Sequence, residues 1–209
     1  MELMIMTTPD KFRSEIYIVI KLFENGLKTL HLKKPKFSKN RYKNYINQIP
    51  KKYHNRIIIH SYFSLMYKFN LKGINISSNT KPSKLFFLFY DFFKKRKIKI
   101  FTIHSLNQLK ELNKKKYDYI LAGPLFKSNN DEIIINDKFN KNHIKEIVFS
   151  YPKQIVFYGG INAENINSLN NNHLFGLLFL GVIWYNPNKQ PIDVFLDFKR
   201  RIKPADENN

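Results

Sequence analysis

The sequence predicts a single-domain (β/α)8 barrel, a TIM barrel of class α/β, on three observations. Strand-like and helix-like stretches alternate along the whole chain with no hairpin signal between them, as a parallel sheet requires. Eight such units in 209 residues average about 26 residues each, which suits a compact barrel. Two late apolar strands, Gln154 to Tyr158 and Leu174 to Leu180, are stopped by Gly159-Gly160 and Gly181. Glycines after the last two strands let backbone N–H groups approach a phosphate, though glycine at a strand end also serves as an ordinary turn residue. A doubly wound open sheet is the alternative. It usually carries a glycine-rich loop after its first strand, where this chain has Thr7-Thr8-Pro9.

The elements follow in order. Leu3 to Met6 is the first strand. Ser14 is placed to cap a helix running to about Asn25, with Ile16, Val19, Ile20 and Phe23 at helical spacing and Asn25-Gly26 as its stop. Leu27 to Leu32 is the second strand, and Ser38 opens a helix to about Gln48. Arg56 to His60 is a β-branched third strand, Tyr62 to Asn70 a helix, and Gly73 to Ile76 the fourth strand. Pro82 to Lys97 reads as a helix. Ile98 to Ile103 is the fifth strand, followed by a helix that Ser105 is placed to cap and that reaches Lys115. Tyr117 to Ala122 is the sixth strand, ended by Gly123-Pro124, and a polar loop from Phe126 to Asn140 precedes a helix from His143 to Phe149. Ala163 to Leu169 is a short helix between the two glycine-stopped strands, and Asp193 to Arg201 closes the chain as an amphipathic helix. The barrel is expected over 1–203, with 204–209 a loose tail.

Composition removes several classes of function. No stretch reaches the roughly 18 consecutive apolar residues of a membrane span, and the start of the chain does not read as a secretory signal. With no cysteine there is no disulfide, thiolate metal site or cysteine nucleophile, and a cytoplasmic location is expected. The net charge of +20 invites a nucleic-acid or anionic-surface partner. The basic residues are dispersed, however, and no nucleic-acid motif accompanies them. The bias toward Asn, Ile, Phe, Tyr and Lys is equally what A/T-rich codons produce, so no nucleic-acid partner is expected.

A barrel of this type carries its site at the C-terminal strand ends. Those ends hold Thr7, His31 with Lys33, His60 with Ser61, Asn75 with Ser77, Thr102 with His104, Gly123 onward, Gly159-Gly160 and Gly181. His54, His143 and His173 fall in segments that read as surface. His104 is the best-placed acid/base, between a strand and a capped helix, because imidazole exchanges protons near neutral pH. Lys33 and Lys34 read equally as a solvated turn or as an anion clamp.

These pieces resemble the thiamine phosphate synthase superfamily, and most closely its thiazole tautomerase (TenI-like) branch. The matching stretches are Leu30 to Pro35, Leu71 to Asn75, Thr102 to Ser105, Asp118 to Phe126, Gly159 to Asn165 and Gly176 to Ile183. The resemblance implies a barrel of thiamine metabolism that binds a thiazole phosphate on backbone at Gly159, Gly160, Leu180 and Gly181, with help from Ser128, Asn129 and Asn130, while His31 and Lys33 face the substrate. In the tautomerase branch the residue matched by His104 moves the proton that makes a dihydrothiazole carboxylate phosphate aromatic. The synthase branch joins a hydroxymethylpyrimidine pyrophosphate to the thiazole phosphate and holds magnesium on two aspartates.

The positions matching those aspartates are Ser61 and Thr80, and hydroxyls replace carboxylates poorly around a hard cation. The family's pyrophosphate-binding Arg and Lys appear as Lys33 and Pro35, and its lysine after the Gly-Pro loop as Asp131. The expectation is therefore a tautomerase-like enzyme without cofactor or protein-held metal, with Mg2+ required only if the chain is a synthase. A phosphate-binding or RNA-associating relative without activity is the remaining alternative. The expected partners are a phosphorylated small molecule and further copies of the chain, with no membrane.

Overall fold

Eight parallel strands close on themselves in the computed structural model, which describes residues 1–78, 80, 83, 86, 90, 97–112, 116–126, 141–152, 154–169 and 173–202. The strands are β1 Glu2–Met6, β2 Thr29–Leu32, β3 Ile57–Ile59, β4 Gly73–Ser77, β5 Ile98–Ile103, β6 Tyr119–Ala122, β7 Ile155–Tyr158 and β8 Gly176–Phe179. Each pairs with the next, and β8 returns to β1 with Glu2 opposite Gly176 and Ile5 opposite Phe179. An open doubly wound sheet is thereby ruled out.

The described helices are α1 Glu15–Glu24, α2 Lys39–Asn47, α3 Leu65–Lys68, α4 Leu106–Lys110, α5 Lys141–Ser150, α6 Gly181–Trp184 and α7 Pro191–Arg201. The strands read as unbroken apolar runs because both faces are buried. Met4, Ile58, Ile100, Leu121, Val156 and Leu178 pack inside the barrel. Ile5, Leu30, Ile59, Ile74, Phe157 and Phe179 face the helices. α7 shows the second kind of contact, with Phe198 tilted against Phe179 at a centroid distance of 4.7 Å.

Several local expectations are corrected. Ser14 sits at φ 59° and makes no side-chain cap bond, whereas Ser38 accepts from the Arg41 N–H at 3.4 Å as expected. The segment after β3 is helical only over Leu65–Lys68, and Lys51–Arg56 forms an unanticipated 3-10 turn. The short helix expected from Ala163 to Leu169 is limited to a 3-10 turn over Ile166–Leu169. His54 is buried, not at the surface, and its ring nitrogens meet the carbonyls of Ile46, Ile49 and Phe69. Most of the expected helix from Pro82 to Lys97, the loop after Phe126 and the tail from 203 onward lie outside the described residues.

Candidate active site

The C-terminal strand ends surround a cavity of about 1460 Å3. His104 stands on its wall, directly after β5. Its backbone N–H donates to Gln108 Oε1 at 2.7 Å, so the first turn of α4 is closed by Gln108 reaching back. Ser105 makes no side-chain cap bond, contrary to expectation. The imidazole Nδ1 lies 3.1 Å from the Gly123 carbonyl oxygen and 2.9 Å from the Tyr158 hydroxyl. That hydroxyl also donates to the Gly123 carbonyl at 2.9 Å, and burial raises its pKa well above the usual tyrosine value. Nε2 has no bond to another described residue.

Lys33 reaches the mouth from the end of β2. Thr7 clamps its backbone in both directions, donating to the Lys33 carbonyl at 3.1 Å and accepting from its N–H at 3.0 Å. Crowding at the rim lowers the Lys33 ammonium pKa by desolvation. Lys34 is neither a solvated turn residue nor an anion clamp. It is buried, 2.5 Å from the Glu15 carboxylate, and also donates to Thr8 Oγ1 and the Asp10 carbonyl. Burial raises the Glu15 pKa even though Lys34 and Thr8 pull it the other way. This pair ties the start of α1 to the loop after β2.

His31 does not line the mouth, where the expectation placed it. It is fully buried inside the barrel, with Nδ1 3.0 Å from His60 Nε2 and Nε2 3.0 Å from the Tyr119 hydroxyl. Desolvation by burial, then Lys72 and Lys33, hold its pKa down at about 3. The polar chain continues from His60 to Asn75 at 3.1 Å and from Asn75 to Thr102 at 2.7 Å, and these three residues form part of the cavity floor.

The two glycine turns differ. Gly159 and Gly160 have φ of 89° and 65°, a region that disfavours side chains. A Cβ at Gly159 would stand 2.4 Å from Pro124, and one at Gly160 would stand 2.7 Å from Phe126. Both glycines therefore admit the loop after β6, which is bonded to the end of β7 through Leu125 N–H to Tyr158 O and to the first glycine through Phe126 N–H to Gly159 O. Beyond them Asn165 Nδ2 donates to the Gly160 carbonyl, and the Asn162 side chain accepts from the N–H groups of Glu164 and Asn165. A Cβ at Gly181 would meet nothing within 4 Å. Gly181 opens α6, which Trp184 anchors by donating from Nε1 to the Met6 carbonyl at 2.7 Å. Among the described residues the N–H groups of Gly181 and Val182 have no partner, and both residues line the cavity beside Leu180. Ser128, Asn129 and Asn130 lie outside the described residues.

The structure thus gathers Lys33, His104, Gly159, Gly160, Leu180 and Gly181 around one cavity and sets His31 apart beneath it. Sequence reasoning missed Tyr158, which reads as one more apolar strand residue. Its place at a strand end just before a glycine pair was the available signal. The described lining also bears on magnesium. Its carboxylate is that of Glu164, and its hydroxyls include Ser61, Ser77 and Thr80, the last two bonded to each other at 2.7 Å. No group of three or more His, Asp or Glu among the described residues is placed to hold a metal. This donor set does not fit a protein-held Mg2+.

The comparisons with known proteins agree with this architecture. The chain is 23% identical over 158 residues to a thiamine-phosphate synthase of Methanobrevibacter smithii, covering 75% of this chain and 73% of that one. It is similar to the crystal structure of a thiamine phosphate pyrophosphorylase from Bacteroides thetaiotaomicron, with 27% identity, a TM-score of 0.74, and 96% and 95% of the two chains covered. A thiamine phosphate pyrophosphorylase from Pyrococcus furiosus shares the fold at 14% identity, with a TM-score of 0.76 over 96% and 95% of the chains. The family model described as thiamine monophosphate synthase matches residues 3–179, from β1 to the last residue of β8, and the chain belongs to that family of transferases in thiamine biosynthesis.

Proposed function

We propose that the cavity binds a thiazole phosphate and that the chain joins it to hydroxymethylpyrimidine pyrophosphate, as a thiamine phosphate synthase. The observation that carries this reading is the family match running through all eight strands of a closed barrel. In the reaction a thiazole nitrogen forms a bond to the pyrimidine methylene carbon, and the carbon–oxygen bond to pyrophosphate breaks with its electron pair leaving on oxygen. No proton need move at the thiazole. Lys33 is the rim cation for the leaving anion, and the N–H groups of Gly181 and Val182, without a partner among the described residues, suit the thiazole phosphate. The described residues do not build a magnesium site, so no step is assigned to that ion.

A second reading, tautomerisation of a thiazole carboxylate phosphate, is favoured by a different observation. The described mouth is poor in carboxylates but holds His104 with one ring nitrogen free for proton transfer. One assay separates the two. Purified protein is offered both substrate sets, with Mg2+ and with chelator. Thiamine phosphate formation supports the synthase, and aromatisation of the carboxylate supports the tautomerase. Binding of thiazole phosphate without either product would overturn both as activities.

A further inference from the structure

We infer that Tyr158 is a positioning residue which, with the Gly123 carbonyl, holds His104 in the tautomer protonated on Nδ1 and leaves Nε2 unprotonated toward the cavity. The three atoms form a closed triangle, with Nδ1 to Tyr158 Oη at 2.9 Å, Nδ1 to Gly123 O at 3.1 Å and Tyr158 Oη to Gly123 O at 2.9 Å. A carbonyl oxygen only accepts hydrogen bonds, so it decides the arrangement. If Nδ1 were bare, its lone pair would face the carbonyl lone pairs at 3.1 Å with no proton between them. With Nδ1 protonated, N–H points at the carbonyl and at the tyrosine oxygen, and the tyrosine hydrogen also goes to the carbonyl. Every donor then has an acceptor.

Tyr158 keeps its proton near neutral pH because burial disfavours the phenolate, so it stays a fixed donor to Gly123. Its ring meets the imidazole edge-on, with centroids 6.4 Å apart, and adds a steric limit on ring rotation. At the other end of the residue, Gln108 holds the His104 N–H at 2.7 Å. Backbone, ring plane and tautomer are therefore each held by a separate contact. A histidine fixed in this way presents an acceptor first, and becomes a donor only after it has taken a proton. That is the order a proton abstraction needs, and it also suits recognition of an N–H or O–H group on a ligand.

The test compares the wild type with Tyr158→Phe, which keeps the ring and removes only the hydroxyl. Nitrogen-15 NMR of the ring nitrogens should show the neutral His104 ring of the wild type protonated on Nδ1 and bare on Nε2. In Tyr158→Phe the two signals should move toward the averaged position of mixed tautomers. A wild-type His104 protonated on Nε2 would overturn the assignment, and ring signals unchanged in Tyr158→Phe would remove Tyr158 from the role. Circular dichroism and the urea midpoint establish that the variant is folded. The kinetic arm rests on the tautomerase reading above. There Tyr158→Phe should lower kcat by about 10- to 100-fold, as expected for losing a group that orients a functional histidine, while KM for the phosphorylated substrate holds. The NMR arm needs no turnover, so failure of that reading leaves the tautomer assignment separately testable.

Discussion

His31 and His60 occupy the barrel interior as a pair of neutral imidazoles, Nδ1 to Nε2, between Tyr119 on one side and Asn75 on the other. Burial lowers both pKa values, that of His31 to about 3. An unfolded histidine titrates near 6.5, so below that pH the unfolded chain binds more protons than the folded one. Stability should therefore be level above about pH 6.5 and fall by about 1.4 kcal/mol per pH unit for each such histidine on acidification. For His31 the loss extends toward its folded pKa of about 3. Urea unfolding between about pH 7 and pH 4 measures the slope. His31→Gln should flatten it, and an equally steep profile in that variant would assign the acid sensitivity elsewhere.

The glycine-ended strands separate packing from ligand contact at the scale of the element. Ala at Gly160 would press on Phe126 and hold a φ of 65°, so Gly160→Ala should cost at least about 1 to 3 kcal/mol. Gly181→Asp meets no such obstacle. It should leave the urea midpoint near the wild-type value and abolish binding of a thiazole phosphate, because a carboxylate would stand where the anion needs N–H groups. Calorimetric titration checks the pair, and undiminished affinity in Gly181→Asp would move the phosphate away from α6. The sequence places both turns after the last two strands. It does not distinguish them, since the loop that packs on Gly159 and Gly160 comes from Pro124 and Phe126, more than 30 residues earlier.

Barrel closure at the scale of the molecule brings the ends of β2, β5, β7 and β8 around one cavity while +20 of net charge is spread over the chain. Like charges at that excess repel one another in the folded state more than in the expanded one. Raising NaCl from about 0.02 to about 0.3 M shortens the screening length and should raise the melting temperature. A fall in Tm would mean that specific surface ion pairs outweigh the general repulsion. Among the described residues the surface pairs are few, such as Lys21 with Glu24 and Lys36 with Asp10, which supports the first outcome.

The sequence by itself determined the eight strands, their parallel order and the barrel, because burial of both strand faces writes apolar runs into the chain and glycine, proline and polar residues punctuate them. It also marked His104 and Lys33 as strand-end residues, since distance along the chain suffices for that. Only the tertiary structure decided that His31 lies beneath the mouth rather than in it. Position at a strand end does not say how deep a side chain sits; the register against β1 and β3, and the contact with Tyr119 across the barrel, do. Only closure of the barrel brings Tyr158, 54 residues from His104, within 2.9 Å of its ring. The burial of Lys34 on Glu15 was hidden for the same reason, because a lysine's partner is chosen by packing in three dimensions and leaves no periodic trace in the chain.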